Sequence, residues 1–477
     1  MLSGAGLLAF WLLASAAQTP VQAPVQVPAP IPADKSADAE YYFLLGRYYE
    51  GSGKLDDAEA ALKQAIALAP KNAEPRAELA AFYARQDKAA ESLTAAEDAL
   101  KIDPDNREAN RALGSVLAAL VEEGQPARPG DDVSTYTPRA IKALEIARGN
   151  DGTEELSVDL ALARLYMRAH RPADAVAPLH RIYLENPGFV QGALLLAQAQ
   201  QATGKSADAL ATLDTVLSED PSQVRARILQ AEIQEQQHRW KDAAASWKHA
   251  QELMPTNADI AARRSMALLN TGDMEAAESA ARAAKAANPN DVRVLYVLGI
   301  ALESRNAFDE AVPVFEEASR LAPDNTAVLY QYGGALDRAG RKADAEKVFR
   351  GIVEKNPDNA NALNYLGYML AEGGQSLEEA IGLIQRALKV EPDNPSFLDS
   401  LGWAYFRQGK LDQADGPLSA AAEKQPKNSV IQDHLGDLRL AQQRKGEAVA
   451  AWQRALSGDG ESIDRARIQK KISDAQR

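Results

Sequence analysis

Small and apolar positions recur with helical spacing through residues 39 to 460, and the helical stretches stop at a fixed interval. In LDSLGWAYFRQGK (398–410), Leu398, Leu401, Gly402 and Tyr405 lie three or four apart and form one stripe, the spacing that places side chains on one face of an α-helix. Prolines close such patterns at Pro70 and Pro104, at Pro187, Pro221, Pro255, Pro289, Pro323 and Pro357, and at Pro392 and Pro426. The step is 34 residues, with two exceptions. One residue is added at GGQS (373–376), and Pro104 to Pro187 spans 83 residues, two periods plus 15, most of the excess lying in EGQPARPGDDVSTYTPR (123–139). That stretch holds acids, Ser, Thr and Tyr together and is expected to be a surface excursion.

The periods carry a small residue 24 positions before the proline, as at Gly46, Gly299, Gly333 and Gly402 with Ser265 the exception, and an alanine 12 before it, as at Ala58, Ala311 and Ala345, where Ser92 departs. Short turns such as GSGK, ATGK, NTGD, RAGR and RQGK separate the two halves. Each period is therefore a helical hairpin whose two helices approach closely. Twelve hairpins are predicted, beginning near Ala39, Ala73, Arg107, Leu156, Val190, Val224, Ala258, Val292, Thr326, Ala360, Pro395 and Ser429. After them ESIDRARIQKKISDAQR (461–477) places Ile468, Ile472 and Ala475 in a narrow stripe, as expected of a capping helix.

L-G in the first helix, Ala in the second and Pro at the exit resemble the tetratricopeptide repeat. The resemblance covers residues 39–460. It implies an all-α solenoid, a right-handed superhelix of about twelve helix-turn-helix repeats with a C-terminal capping helix, and an inner groove that binds a protein or an extended peptide.

Composition agrees with such an array and excludes other classes. The chain has 477 residues, of which only 6% are aromatic, and no long β-branched run from which to build strands. A net charge of −14 and a pI near 5.1 oppose nucleic-acid binding, which needs a basic footprint. The absence of cysteine excludes disulfides, thiolate metal sites and acylation of an N-terminal cysteine. Residues 4–18 form an apolar run of signal-peptide length ending near Ala14-Ser15-Ala16, so 1–18 is read as a signal peptide or, alternatively, an uncleaved membrane anchor. The Pro-alternating stretch that follows makes 19–38 a linker. The chain is thus expected to be exported, in the periplasm or elsewhere in the envelope.

With each closing proline numbered 32, positions 4, 7, 8 and 11 of the first helix form the core stripe, and positions 2, 5, 9, 12 and 13 face the other way. Tyr405 then belongs to the core and Trp403 to the opposite face, the one that lines the groove in the family. In early repeats position 9 is short or charged: Arg47, Ala81, Ser115, Arg164, Gln198 and Glu232. Later repeats place Tyr296, Ile300, Tyr330, Asn364, Tyr368, Asp399, Trp403, Phe406 and Arg407 on this face. Tyr296, Tyr330, Asn364, Tyr368, Asp399, Trp403 and Arg407 are the candidate partner-binding residues. The competing reading is that the aromatic ones only seal neighbouring repeats. A Lys–Asn pair at positions 5 and 9, the carboxylate clamp of chaperone-binding members, is missing.

No catalytic constellation or cofactor site emerges. His170, His180, His238, His249 and His434 make no metal pattern, and phosphate loops and GxSxG elbows are missing. The wording of 362–414, with NYLGY and LDSLGWAYF, resembles envelope tetratricopeptide proteins of the type that partners a carboxyl-terminal processing protease. That type is anchored through an acylated cysteine, which this chain lacks, so only the scaffold role carries over. The expected function is a non-enzymatic scaffold or adaptor of the bacterial cell envelope, with an envelope protease or hydrolase as partner. The alternative is a structural subunit of an exopolysaccharide-export or pilus-assembly machine.

Overall fold

Prolines and helix caps cooperate at several repeat boundaries. In Pro104-Asp105-Asn106, Pro323-Asp324-Asn325, Pro357-Asp358-Asn359 and Pro392-Asp393-Asn394 the proline ends one pattern and the asparagine two residues on starts the next. In a computed structural model, which describes residues 35–148, 155–374, 376–459 and 463–477, each of these asparagines accepts a hydrogen bond from a backbone N–H of the helix it begins. Asp291 and Asn428 do the same.

The described residues form 25 α-helices, one short 3-10 turn and no strand. First helices begin at Arg107, Leu156, Val190, Val224, Ala258, Val292, Thr326, Ala360, Pro395 and Ser429, the positions expected from the period. The second repeat starts at Glu74, one residue late. The first helix, Lys35–Gly51, starts earlier than expected and takes residues 35–38 from the anticipated linker, since no proline follows Pro32 and Asp38 favours the helix N-terminus. The expected signal or anchor (1–18) and the remainder of the linker lie outside the described residues.

The chain divides into two units, one ending at Thr203 and one beginning at Gly204. The first contains four hairpins followed by the helix Val190–Ala202. The second starts with the helix Ser206–Glu219, continues through seven hairpins and ends with Arg465–Gln476.

Glycine decides how closely a hairpin closes. Gly46, Gly299, Gly333, Gly402 and Gly436 each face a large residue sixteen positions on: Leu62, Phe315, Phe349, Leu418 and Trp452. A Cβ at Gly333 would lie 2.6 Å from the Phe349 ring, so the small residue lets a fully buried side chain sit against the backbone.

In the third repeat Gly114 meets Leu144 instead, which places the extra residues between the two helices of one hairpin. The first helix, Arg107–Glu123, runs 17 residues where 13 is usual in later repeats, and ends at Gly124 with φ 67°. The excursion returns through Val133–Thr135 into the helix Tyr136–Arg148. Its polar residues are committed locally. The buried Tyr136 hydroxyl donates to Asp131 at 2.7 Å and accepts from the Ala127 N–H at 3.0 Å, while Arg128 and Arg139 converge on Glu97. At the other end Asp464 caps Arg465–Gln476, which buries Ile468 and Ala475 and part-buries Ile472 against Ala448, Trp452 and Ala455.

Candidate functional site

The candidate residues lie in the second unit, on first helices of repeats eight to eleven, and a regular contact links them. In repeats eight, nine and eleven position 5 touches position 6 of the next repeat, 35 residues later. Gln331 Nε2 donates to the Tyr296 hydroxyl at 3.5 Å, and the Tyr330 and Tyr365 rings meet edge-on with centroids 5.7 Å apart. Tyr365 also stacks on Phe349 at 4.3 Å and donates to Asp337 at 3.0 Å. Burial raises the hydroxyl pKa of Tyr330, Tyr365 and Tyr368 above the usual phenol range. These rings stay neutral and act as apolar wedges with one polar end.

The ladder closes most tightly at repeats ten to twelve. Trp403 is 9% exposed. Its indole stacks on His434 at 4.1 Å with a 14° interplanar angle and on Phe406 at 5.0 Å with 19°, and its Nε1 donates to Glu372. His434 Nδ1 lies 3.0 Å from both carboxylate oxygens of Asp399, a side chain that is itself buried. Arg407 donates to the Glu372 backbone carbonyl at 3.0 Å and so satisfies the end of the helix Ala360–Gly373. One repeat further on, Asp433 is held by Arg467 at 2.9 Å and Lys471 at 2.7 Å, both on the terminal helix.

The seven candidates therefore separate. Trp403 and Asp399 are enclosed in the joint between repeats, as the sealing alternative required, and Phe406 stacks on the indole. Tyr296, Tyr330, Asn364 and Tyr368 are partly exposed, and Arg407 is exposed. Asn364 Oδ1 is buried and makes no hydrogen bond. Tyr405, expected in the core, is partly buried, and its hydroxyl accepts from Gln385 at 3.1 Å. Sequence reasoning passed over His434 and Glu372. The one-residue offset between position 5 and position 6 is the signal that pairs Asp399 with His434.

The first unit has a different concavity, a groove of about 840 Å³ lined mainly by charged side chains. Positions 5 and 9 contribute Phe43, Ala77, Arg111 and Arg47 to its lining, but no groove was expected in the early repeats. Arg85 there bonds Glu50 at 2.7 and 2.8 Å and Glu78 at 2.9 Å, and Arg111 pairs with Glu108 and Glu155. Arg107 donates to the backbone carbonyls of Ala147 and Arg148, both at 3.1 Å. Among the described residues no three His, Asp or Glu side chains converge as metal ligands, and no helix is long and apolar enough to cross a membrane.

One model of the tetratricopeptide repeat matches residues 50–120, 166–233 and 302–367, and a second matches 263–326 and 374–429, together more than half of the chain. The chain belongs to the tetratricopeptide-repeat family. A TPR repeat-containing protein of Pseudomonas aeruginosa is 43% identical over 70 residues, which is 15% of this chain and 12% of that protein. Among solved structures, a tetratricopeptide repeat protein of Parabacteroides merdae aligns with TM-score 0.46 and 15% identity, covering 53% of this chain and 99% of its own. Yeast Tom70 aligns with TM-score 0.42 and 16% identity over 93% of this chain and 96% of its own. Tetratricopeptide proteins generally mediate protein–protein interaction.

Proposed function

We propose that this tetratricopeptide array is a non-enzymatic scaffold of the bacterial cell envelope that takes a partner protein or extended peptide on the inner face of repeats eight to eleven. The observation that carries the proposal is Asn364. A buried amide oxygen without a hydrogen bond costs about 1–3 kcal/mol, and because the rest of the Asn364 side chain is partly exposed, a rotation of its amide brings that oxygen to a partner's donor, such as a peptide N–H. Tyr368, one turn further along the same helix, offers a ring at the same face, and Arg407 lies beside it with its side chain 31% exposed. Trp403 and Asp399 support that surface from behind. The envelope assignment rests on the apolar run 4–18 and the Pro-rich stretch after it, and the wording of 362–414 favours a protease or hydrolase as partner.

The test is affinity capture from native envelope extract with the full chain, run beside Asn364→Ala/Tyr368→Ala. Recovery of an envelope protease or hydrolase by the parent chain and its loss with the double variant supports the reading. Equal recovery by both removes this face from consideration, and stoichiometric recovery of a membrane-bound secretion channel assigns the export role instead. Sequencing the N-terminus of the mature protein checks whether residues 1–18 are removed.

A further inference from the structure

The joint between repeats ten, eleven and twelve encloses a titratable group that the binding surface does not use. His434, on the helix Ser429–Ala441, is 6% exposed, whereas His170, His180, His238 and His249 are all exposed. Every element packed around it contributes charge. Tyr368 and Glu372 come from the helix Ala360–Gly373, and Asp399 and Arg407 from the helix Pro395–Arg407. Asp433 and Asp437 lie on its own helix, where Arg467 and Lys471 of the terminal helix pair with Asp433, and Lys471 also reaches Asp437 at 2.6 Å. Four carboxylates thus face three permanent cations, and a protonated imidazole supplies the fourth.

We propose that His434 is a pH-operated pin: protonated, it ties the twelfth repeat and the terminal helix to the eleventh repeat through Asp399 and Trp403, and deprotonated, it lets this end of the array loosen. Stacking transmits the charge state to the fold, because the imidazole lies flat on Trp403 and that indole is anchored on Glu372 of the tenth repeat. A neutral ring still donates one N–H to Asp399. It leaves the enclosed cluster with an uncompensated negative charge, which a buried setting penalises. An array end has a neighbour on one side only, so it is also the part that opens most readily.

The direction of the pH dependence follows from the surroundings. Burial opposes the charged imidazole, the Asp399 carboxylate with Asp433 and Glu372 favours it, and the carboxylates prevail, so His434 holds its proton above the ordinary histidine range. A group raised in the folded state stabilises fully below its unfolded pKa, and the contribution disappears as pH rises through the folded value. Loosening therefore occurs on the alkaline side.

Hydrogen exchange of the full chain, followed from about pH 6 to pH 9 and corrected for intrinsic chemistry, tests this. Peptides from Pro395–Arg407, Ser429–Ala441 and Arg465–Gln476 are expected to lose protection as pH rises, while Thr326–Arg338 stays unchanged. His434→Gln abolishes the transition and leaves the end weakly protected throughout, and Asp399→Asn moves the transition to lower pH. Flat protection in the parent chain, or an unaltered transition in His434→Gln, overturns the proposal. If His434→Gln does not fold, the imidazole NMR titration of the parent chain decides. His434 titrating above the four exposed histidines, with Trp403 ring resonances moving in step, supports the pin, and titration at or below them refutes it.

Discussion

Around Arg85 and Arg111 the early repeats hold their inner side with exposed ion pairs, while around Trp403 and His434 the late repeats hold theirs with a buried stack. Arg85 is 47% exposed at the side chain while Glu50 and Glu78 are 20% and 14% exposed, so the cluster sits at the edge of solvent and each bond contributes about 1 kcal/mol or less. Trp403 is buried, stacked on His434 and Phe406, and bonded at Nε1. One motif thus produces a charged groove in one unit and an aromatic ladder in the other, and the side chains at positions 5, 6, 9 and 13 account for the difference. Contacts whose partners remain hydrated are cheap to exchange, whereas contacts that exclude water define a joint.

The sharpest challenge to this contrast is Trp403→Ala. Removing a buried indole is expected to cost about 3–5 kcal/mol, read as a lower denaturant midpoint and lost exchange protection in Pro395–Arg407. A loss below about 0.5 kcal/mol would show that the stack contributes nothing to the joint. Asp399→Ala comes next, at about 1–3 kcal/mol, because the buried imidazole loses its acceptor but can shed its proton instead of staying charged. Helix caps should not distinguish the two regions. Asn106→Ala in the first unit and Asn325→Ala in the second each remove one side-chain cap and are expected to cost about 1 kcal/mol, measured by chemical unfolding of each variant. Smallest is Arg85→Ala, under about 1 kcal/mol and shrinking as salt is added; a salt-insensitive loss as large as that of Trp403→Ala would erase the contrast.

How much was legible varied with the range of the interaction. Helix starts at Arg107, Leu156, Val224 and Pro395 followed from proline and turn spacing because those signals act over a few residues. The extra residues of the third repeat lie between the helices Arg107–Glu123 and Tyr136–Arg148. Their partition into a lengthened Arg107–Glu123 and a loop closed by Tyr136 was not legible, since it depends on Asp131, the Ala127 N–H and Glu97 meeting in space. The inner face was identified as a face, but the aromatic residues on it could equally have pointed to a partner or to a neighbour. Trp403 and Asp399 turned inward, and Asn364, Tyr368 and Arg407 retained exposure.

The amino-acid sequence by itself determined the helices, their pairing into hairpins and the family, because a 34-residue period with Gly, Ala and Pro at set positions leaves few other ways to bury the apolar stripe. Only the tertiary structure decided that position 5 meets position 6 of the next repeat, and hence that His434 joins Asp399 and Trp403. That contact depends on the offset between successive repeats, which is set by the packing of many side chains at once and is written in no single stretch of the chain.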